Sequence, residues 1–280
     1  MKDFLVKGGQ TNVIPGFGLS LGISITMLSL LVLIPLASVL VYSLNLSAHD
    51  YLKLITNNVV RNAFITSISC SLIAAVINCI FGTILAWILV RYDFMGKNLL
   101  NGMIELPFAL PTAVAGITLS KLYADTGFLG AYFAKLGISI AYTKIGITIA
   151  LVFVGIPFVV RSIQPVLEKL DPSYEEAGNM LGASSFTIFR RIILPELRPA
   201  ILTGFGLAFA RGLGEYGSVI YIAGNSARDH TQIVSYVIMQ KLNYVDYASA
   251  TSIALAMLVI AFVTLFLINM IQLHQAKRVS

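Results

Sequence analysis

Charge is what this sequence has least of. Only 11% of its 280 residues are Asp, Glu, Lys or Arg, against roughly 25% in soluble domains. A soluble chain of this length would need a charged surface, so water is excluded as the solvent for most of it. The two cysteines, Cys70 and Cys79, share one apolar run. Nine residues apart on a helix they are about half a turn out of phase. They do not pair, cannot supply a four-ligand metal site, and read as packing residues. His49, His230 and His274 fall in expected loops or the tail and show no metal spacing. There is no G-x-x-x-x-G-K-[ST] loop, so the chain does not hold ATP in the P-loop manner. Neither a G-x-S-x-G motif nor a zinc helix motif occurs, which leaves an enzyme reading without a catalytic cluster.

What the sequence has instead is apolar length. Hydrophobic residues make up 57% of it. A spanning helix needs about 20 mostly apolar residues. The runs Phe17–Ser43, Ala63–Val90, Ile104–Tyr123, Ile145–Val160, Pro199–Ala223 and Tyr247–Leu273 meet or approach that length. The fourth is short, with 16 uncharged residues between Lys144 and Arg161, whose side chains can snorkel to headgroups. The third is interrupted by Pro107 and Pro111, as either a broken helix or a kink. The first run is too long for a signal-peptide core and reads as a retained span. The expected fold is all-α: a polytopic helical bundle of about six transmembrane helices, forming one domain over residues 1–280.

The net charge of +6 comes without a basic arm of the nucleic-acid type, so it is read as topology. With both termini cytoplasmic, eleven Lys and Arg fall inside, six fall outside, and Lys121 and Arg211 lie in spans, which accounts for all 19. That bias follows the positive-inside rule. Trp87 and Tyr92 bracket Arg91 at the inner end of the second span, as an interfacial belt does.

The longest polar connection, residues 161–198, is then cytoplasmic. Asp171-Pro172 marks a helix entry, and Ser173 with Glu176 fits a capping box. Gly182 ends that helix. A second starts near Ser184 or Ser185 and stops at Pro195. Such a hairpin either packs on the bundle or docks a soluble partner.

Glu176-Ala177-Gly178-Asn179-Met180-Leu181-Gly182, followed after nine residues by Ile192-Ile193-Leu194-Pro195, resembles the E-A-A-x-x-x-G-x9-I-x-L-P motif of ABC importer membrane subunits. Gly178 stands where the motif has Ala, at a cost of about 1 kcal/mol in helix propensity. Further stretches resemble the T subunit of the sulfate/thiosulfate permease family: Pro15–Phe17, Leu106–Gly116, Pro157–Arg161, Gln164–Glu168, Arg211–Gly217 and Ile222–Asn225. The resemblance implies a type I ABC importer permease in the bacterial inner membrane. It assigns Glu175, Glu176, Ala177, Gly178, Leu181, Gly182 and Pro195 to ATPase coupling. It implies as partners a second, W-type permease subunit, two copies of an ATPase, an extracytoplasmic sulfate-binding protein and membrane lipid. It implies no cofactor, no nucleic acid and no catalysis in this chain. The molybdate/tungstate permease is the alternative within transport; a self-contained channel or ion-driven transporter is the alternative outside the family.

Charges in a membrane are functional candidates by default. Arg211 falls 12 residues after Pro199, near mid-span, with Glu215 at i+4. The pair either neutralises itself inside the bundle or lines an anion route. Small residues at 206, 210, 214 and 218, and at 204, 208 and 212, mark close helix contacts. Lys121 near the end of the third run either snorkels or attracts anions.

Overall fold

The computed structural model describes residues 17–279, with side chains to residue 272. The expectations placed on Lys2, Lys7, Pro15 and Gly16, and on the side chains of His274, Lys277 and Arg278, lie outside the described residues. Among the described residues, five helices are long and apolar enough to cross a membrane, or six if one bent pair is a single span.

Helix α1, Phe17–Ser43, has almost no buried residue and presents apolar side chains all round. Its second half packs on the last long helix. A π-helical segment, Ser29–Leu33, precedes Pro35. Proline cannot donate to the helix ladder, and a wider turn accommodates the lost bond. A short amphipathic helix, α2 (Ala48–Thr56), follows; Ser47 Oγ accepts the Asp50 N–H at 3.1 Å as its cap.

Helix α3, Asn58–Arg91, has 34 residues, about 51 Å at 1.5 Å each, so it projects beyond a hydrocarbon core of about 30 Å. The third span is not the simple helix Ile104–Tyr123. It begins earlier, as α4 (Lys97–Ala109), and continues as α5 (Thr112–Tyr123) after a bend of 112°. The bend sits at Leu110-Pro111, where the residue before proline is forced out of the helical region; Leu110 has ψ 136°. The small helix α6, Gly130–Lys135, lies beyond α5.

The fourth span is longer than its apolar run. Helix α7, Lys144–Lys169, passes through Pro157, Arg161 and Pro165 without breaking. Half of its most apolar stretch is buried, more than in any other candidate span. Arg161 can lie within this helix because it is paired: its guanidinium meets the Glu105 carboxylate of α4 and donates to Gln164 Oε1 at 2.6 Å.

After α7 come α8 (Ser173–Met180) and the long helix α9 (Ser185–Leu213). The second helix of the hairpin does not stop at Pro195; it continues unbroken into the fifth span. A π segment, Phe189–Ile193, sits just before Pro195, where the Leu194 N–H bonds Phe189 O. This is the device seen before Pro35. The segment outside the long helices therefore narrows to residues 170–184. The fifth span ends at Leu213 rather than Ala223, and a non-helical break leads to the short helix α10, Val219–Ile222. Helices α11 (Val234–Asn243) and α12 (Tyr247–Val279) complete the chain.

Helices α3, α7 and α9 pack mutually and form the centre. Between helices in lipid there is little hydrophobic drive, so close van der Waals packing has to hold them. Val159 of α7 shows how. A β-carbon on Gly82 of α3 would lie 2.8 Å from Val159 Cγ1, and one on Gly204 of α9 would lie 2.8 Å from Val159 Cα. Gly212 likewise rests on Ser71. The 204–208–212 ridge is thus the central contact of α9, while Gly206 faces Ile268 and Leu265 of α12.

Candidate functional site

The first candidate face is the hairpin α8–α9. The Ser173 N–H donates to Asp171 Oδ1 at 2.9 Å, and this backbone hydrogen bond holds the Asp171 carboxyl below its ordinary value. Asp171, not a Ser173–Glu176 box, caps the helix. At the other end Gly182 has φ +76°. Its N–H reaches Asn179 O at 2.9 Å, and the Ala183 N–H reaches Gly178 O at 3.1 Å. That is a Schellman closure, which favours glycine at its left-handed position. Ser184 Oγ then caps α9 by accepting the Thr187 N–H at 3.3 Å.

Gly178 has a packing reason. It is buried, and a β-carbon there would lie 2.9 Å from Ile188 Cγ1 and 3.4 Å from Ile192 Cδ1. The departure from Ala lets α8 lie closely against the start of α9. Glu175 turns inward. Its Oε1 lies 2.9 Å from Arg91 Nη2 and 3.0 Å from Arg91 Nε, and Arg91 also donates to Leu170 O at 3.0 Å. The guanidinium lies over Trp87, whose ring meets Phe189 edge-on at 5.9 Å. The hairpin is thereby fixed to the end of α3. Glu176, Ala177, Leu181 and Gly182 are exposed. Tyr174, Met180, Leu181 and Phe186 are exposed apolar projections, with Met180 at 91% and Leu181 at 87%. Pro195, half-buried in α9, lines a cleft with Tyr174 of α8 and with Leu170, Ile192 and Glu196.

The second candidate is the break after α9. Arg211 is in the last turn of α9, and Glu215 lies past its end, so the two do not share a continuous helix face. They still meet: Arg211 Nη1 is 2.5 Å from Glu215 Oε2. Glu215 is only 2% exposed, and its Oε1 accepts the Ser218 N–H at 2.8 Å and the Ser218 hydroxyl at 2.9 Å. Arg211 remains 36% exposed at its side chain. The carboxylate is saturated by donors, while the cation keeps an accessible edge. Gly116 of α5 packs on this break, and a β-carbon there would lie 2.8 Å from Ser218 Cα. Lys121 stands in the last turn of α5, exposed, at the edge of a cleft shared with Tyr142 and Tyr221. The structure thus joins Arg211 to Glu215 directly. It sets Lys121 on the helix that packs against their break, and places the hairpin at the other end of α9.

Residues 78–280 match the family described as "Binding-protein-dependent transport system inner membrane component". This chain belongs to that family. The permease is 44% identical to the sulfate transport system permease protein CysT of Salmonella typhimurium, over 95% of this chain and 96% of that protein. It is 45% identical to CysT of Escherichia coli over the same shares. Among solved structures it resembles a chain of a bacterial alginate ABC transporter, with a TM-score of 0.75 over 94% of each chain at 15% identity. It resembles a chain of the MetNI methionine transporter with a TM-score of 0.58, over 79% of this chain and 97% of that one. These likenesses give the permease the type I ABC importer fold.

Several residues of the permease's two faces were not singled out from its sequence. By its sequence position Arg91 is an interfacial flank, yet it anchors α8. By spacing Ser218 is one of a row of small residues, yet it donates twice to Glu215. Glu105 carried no expectation. A lone acid inside an apolar run is a signal for an intramembrane ion pair, and here it points to Arg161.

Proposed function

We propose that this permease is the T-type subunit of an ATP-driven importer of sulfate and thiosulfate, with both termini on the cytoplasmic side. The observation that carries the reading is identity above 40% along nearly the whole chain to sulfate permeases, with the hairpin motif intact but for Gly178. A second, W-type permease completes the pathway, two ATPase copies dock on the hairpins, and an extracytoplasmic binding protein delivers the anion. The whole chain acts as one permease domain, and ATP hydrolysis is the partner's work.

In this reading Tyr174, Met180, Leu181 and Phe186 enter a cleft of the ATPase, with Glu176, Ala177 and Gly182 setting the geometry. Because Glu175 is tied to Arg91 and α8 is packed on Ile188, movement of the hairpin is transmitted to α3 and α9 as rigid elements. Closure of the ATPase dimer draws the hairpins together and turns the bundle from inward- to outward-open. Arg211 offers its accessible edge to the passing anion while Glu215 holds it in place, and Lys121 attracts the anion at the outer end.

Uptake of labelled sulfate by a strain lacking this gene, with and without the gene restored, tests the substrate. Co-purification tests the machine. Restored uptake together with recovery of an ATPase is expected; recovery of an active protein without any ATPase would overturn the importer reading.

A further inference from the structure

An open cleft of about 530 Å³ lies between the end of α5, the turn into α7 and the short helix α10. Ser120, Lys121, Thr126, Tyr142 and Tyr221 give it hydroxyls and one ammonium, over an apolar floor that includes Ile117. Among the described residues no carboxylate lines it. Among the described residues Lys121 forms no ion pair. Asp125, the acid nearest in sequence, is engaged by the Ser139 hydroxyl at 3.2 Å.

The walls are held in place at a cost. Tyr142 has φ +64°, a left-handed backbone that a bulky residue rarely adopts. Such strain persists where the surroundings over-determine it, and it collects at functional sites. Here the Tyr142 N–H is fixed to Ile222 O at 2.7 Å, which brings the turn against α10. The buried Ser120 hydroxyl donates to Tyr142 Oη at 3.3 Å, which leaves the phenol proton free for another acceptor. Close contact of Gly116 with Ser218 brings α5 and α10 together and so places Lys121 beside Tyr221. Lys121 lies five residues beyond Gly116, about 7.5 Å of helix.

We propose that this cleft is a binding site for a tetrahedral oxyanion, the outer receiving station from which sulfate passes toward Arg211. One ammonium and several neutral O–H donors, with no opposing carboxylate, suit a compact anion. A site of one cation and neutral donors also releases its ion, as conduction requires. The station rests on the transport reading and orientation above. The phosphate of an anionic lipid has the same chemistry, so the test separates the two sources.

The assembled transporter, with both permeases, the ATPase and the binding protein, is placed in phosphatidylcholine nanodiscs. Acylation of Lys121 by an amine reagent is followed by mass spectrometry, in sulfate and in chloride at equal ionic strength. Sulfate is expected to slow modification of Lys121 about tenfold, the scale of hydrogen bonds to a charged group, and Tyr221→Phe is expected to reduce that protection. In proteoliposomes Lys121→Gln raises the KM for delivered sulfate, and Lys121→Arg restores it. Lack of protection by sulfate in phosphatidylcholine, or protection by phosphatidylglycerol alone, overturns the station. Protection of Lys121 in a transporter that fails to take up sulfate supports the cleft as an oxyanion site and refutes the transport substrate instead.

Discussion

Glu175 Oε1 sits 2.9 Å from Arg91 Nη2, and this contact joins the exposed hairpin to the end of the longest central helix. The pair is mostly shielded, with side-chain exposures of 22% and 15%. The hairpin is therefore mounted on α3 as well as on α9, which continues from it. A partner that moves the hairpin moves two of the three helices at the centre.

Arg91→Ala should weaken attachment of α8 by about 2 kcal/mol, the range for hydrogen bonds to a charged group. It should lower sulfate uptake more than ATPase binding, because the docking face itself is untouched. The reversed pair, Arg91→Glu with Glu175→Arg, should recover part of the loss. A double-mutant cycle on uptake checks this; additive losses would mean the pair does not couple the two elements.

Gly178→Ala restores the residue usual in the motif, yet it should not stabilise. The gain in helix propensity is about 1 kcal/mol. Forcing a methyl against Ile188 Cγ1 costs about 1–3 kcal/mol in a packed site. Thermal melting of the purified transporter should show a lower midpoint for Gly178→Ala, and Ile188→Ala in the same chain should relieve the clash. A rise in the midpoint for Gly178→Ala alone would refute the packing argument.

Arg211 and Glu215 should behave as a unit. Arg211→Ala leaves a buried carboxylate held only by Ser218, and removing one partner of a buried pair costs about 3–5 kcal/mol. The exposed edge of Arg211 lowers this to about 2 kcal/mol, since water can screen it. Arg211→Ala with Glu215→Gln should be better tolerated in membrane abundance than Arg211→Ala alone. If the double variant reaches normal abundance but imports poorly, Arg211 serves the anion; normal import by Arg211→Ala at normal abundance would reduce the pair to packing.

Asp171 provides a pH signature. Its folded-state pKa lies below the ordinary 3.8 because the Ser173 amide donates to the ionised carboxylate. The cap's contribution is therefore complete above the unfolded pKa and disappears as the pH falls through the folded one. Hydrogen exchange at the Ser173 amide, corrected for intrinsic rate, should stay protected from neutral pH down to about pH 4. It should lose protection below that, and Asp171→Ala should remove protection throughout. Equal exchange in both proteins at neutral pH would exclude the cap.

Much of the fold was legible in the sequence because lipid makes it so. Apolar length alone located the crossings, and the hairpin's boundaries at Asp171 and Gly182 followed from capping chemistry that acts over a few residues. Boundaries differ where a distant partner, or a local change in helix winding, alters the outcome. Arg161 bounds the apolar run, yet the helix continues to Lys169, with Arg161 paired to Glu105 and hydrogen-bonded to Gln164. Pro195 looked like a helix end, but a π turn before it absorbed the lost hydrogen bond. The helix α9 looked continuous to Ala223, yet the buried Glu215–Ser218 contacts and the Gly116 approach favour a break at Gly214.

The sequence by itself determined that this chain lives in a membrane, crosses it about six times and carries a helical hairpin between its fourth and fifth spans. Each of these depends on solvent preference or on hydrogen bonds between neighbours in the chain. Only the tertiary structure decided which charges are paired, that Gly178 is a contact and not a defect, and that Lys121, Tyr142 and Tyr221 share one cleft. Those depend on which helices touch, and in lipid that is decided by shape and by rare polar pairs between residues far apart in the chain.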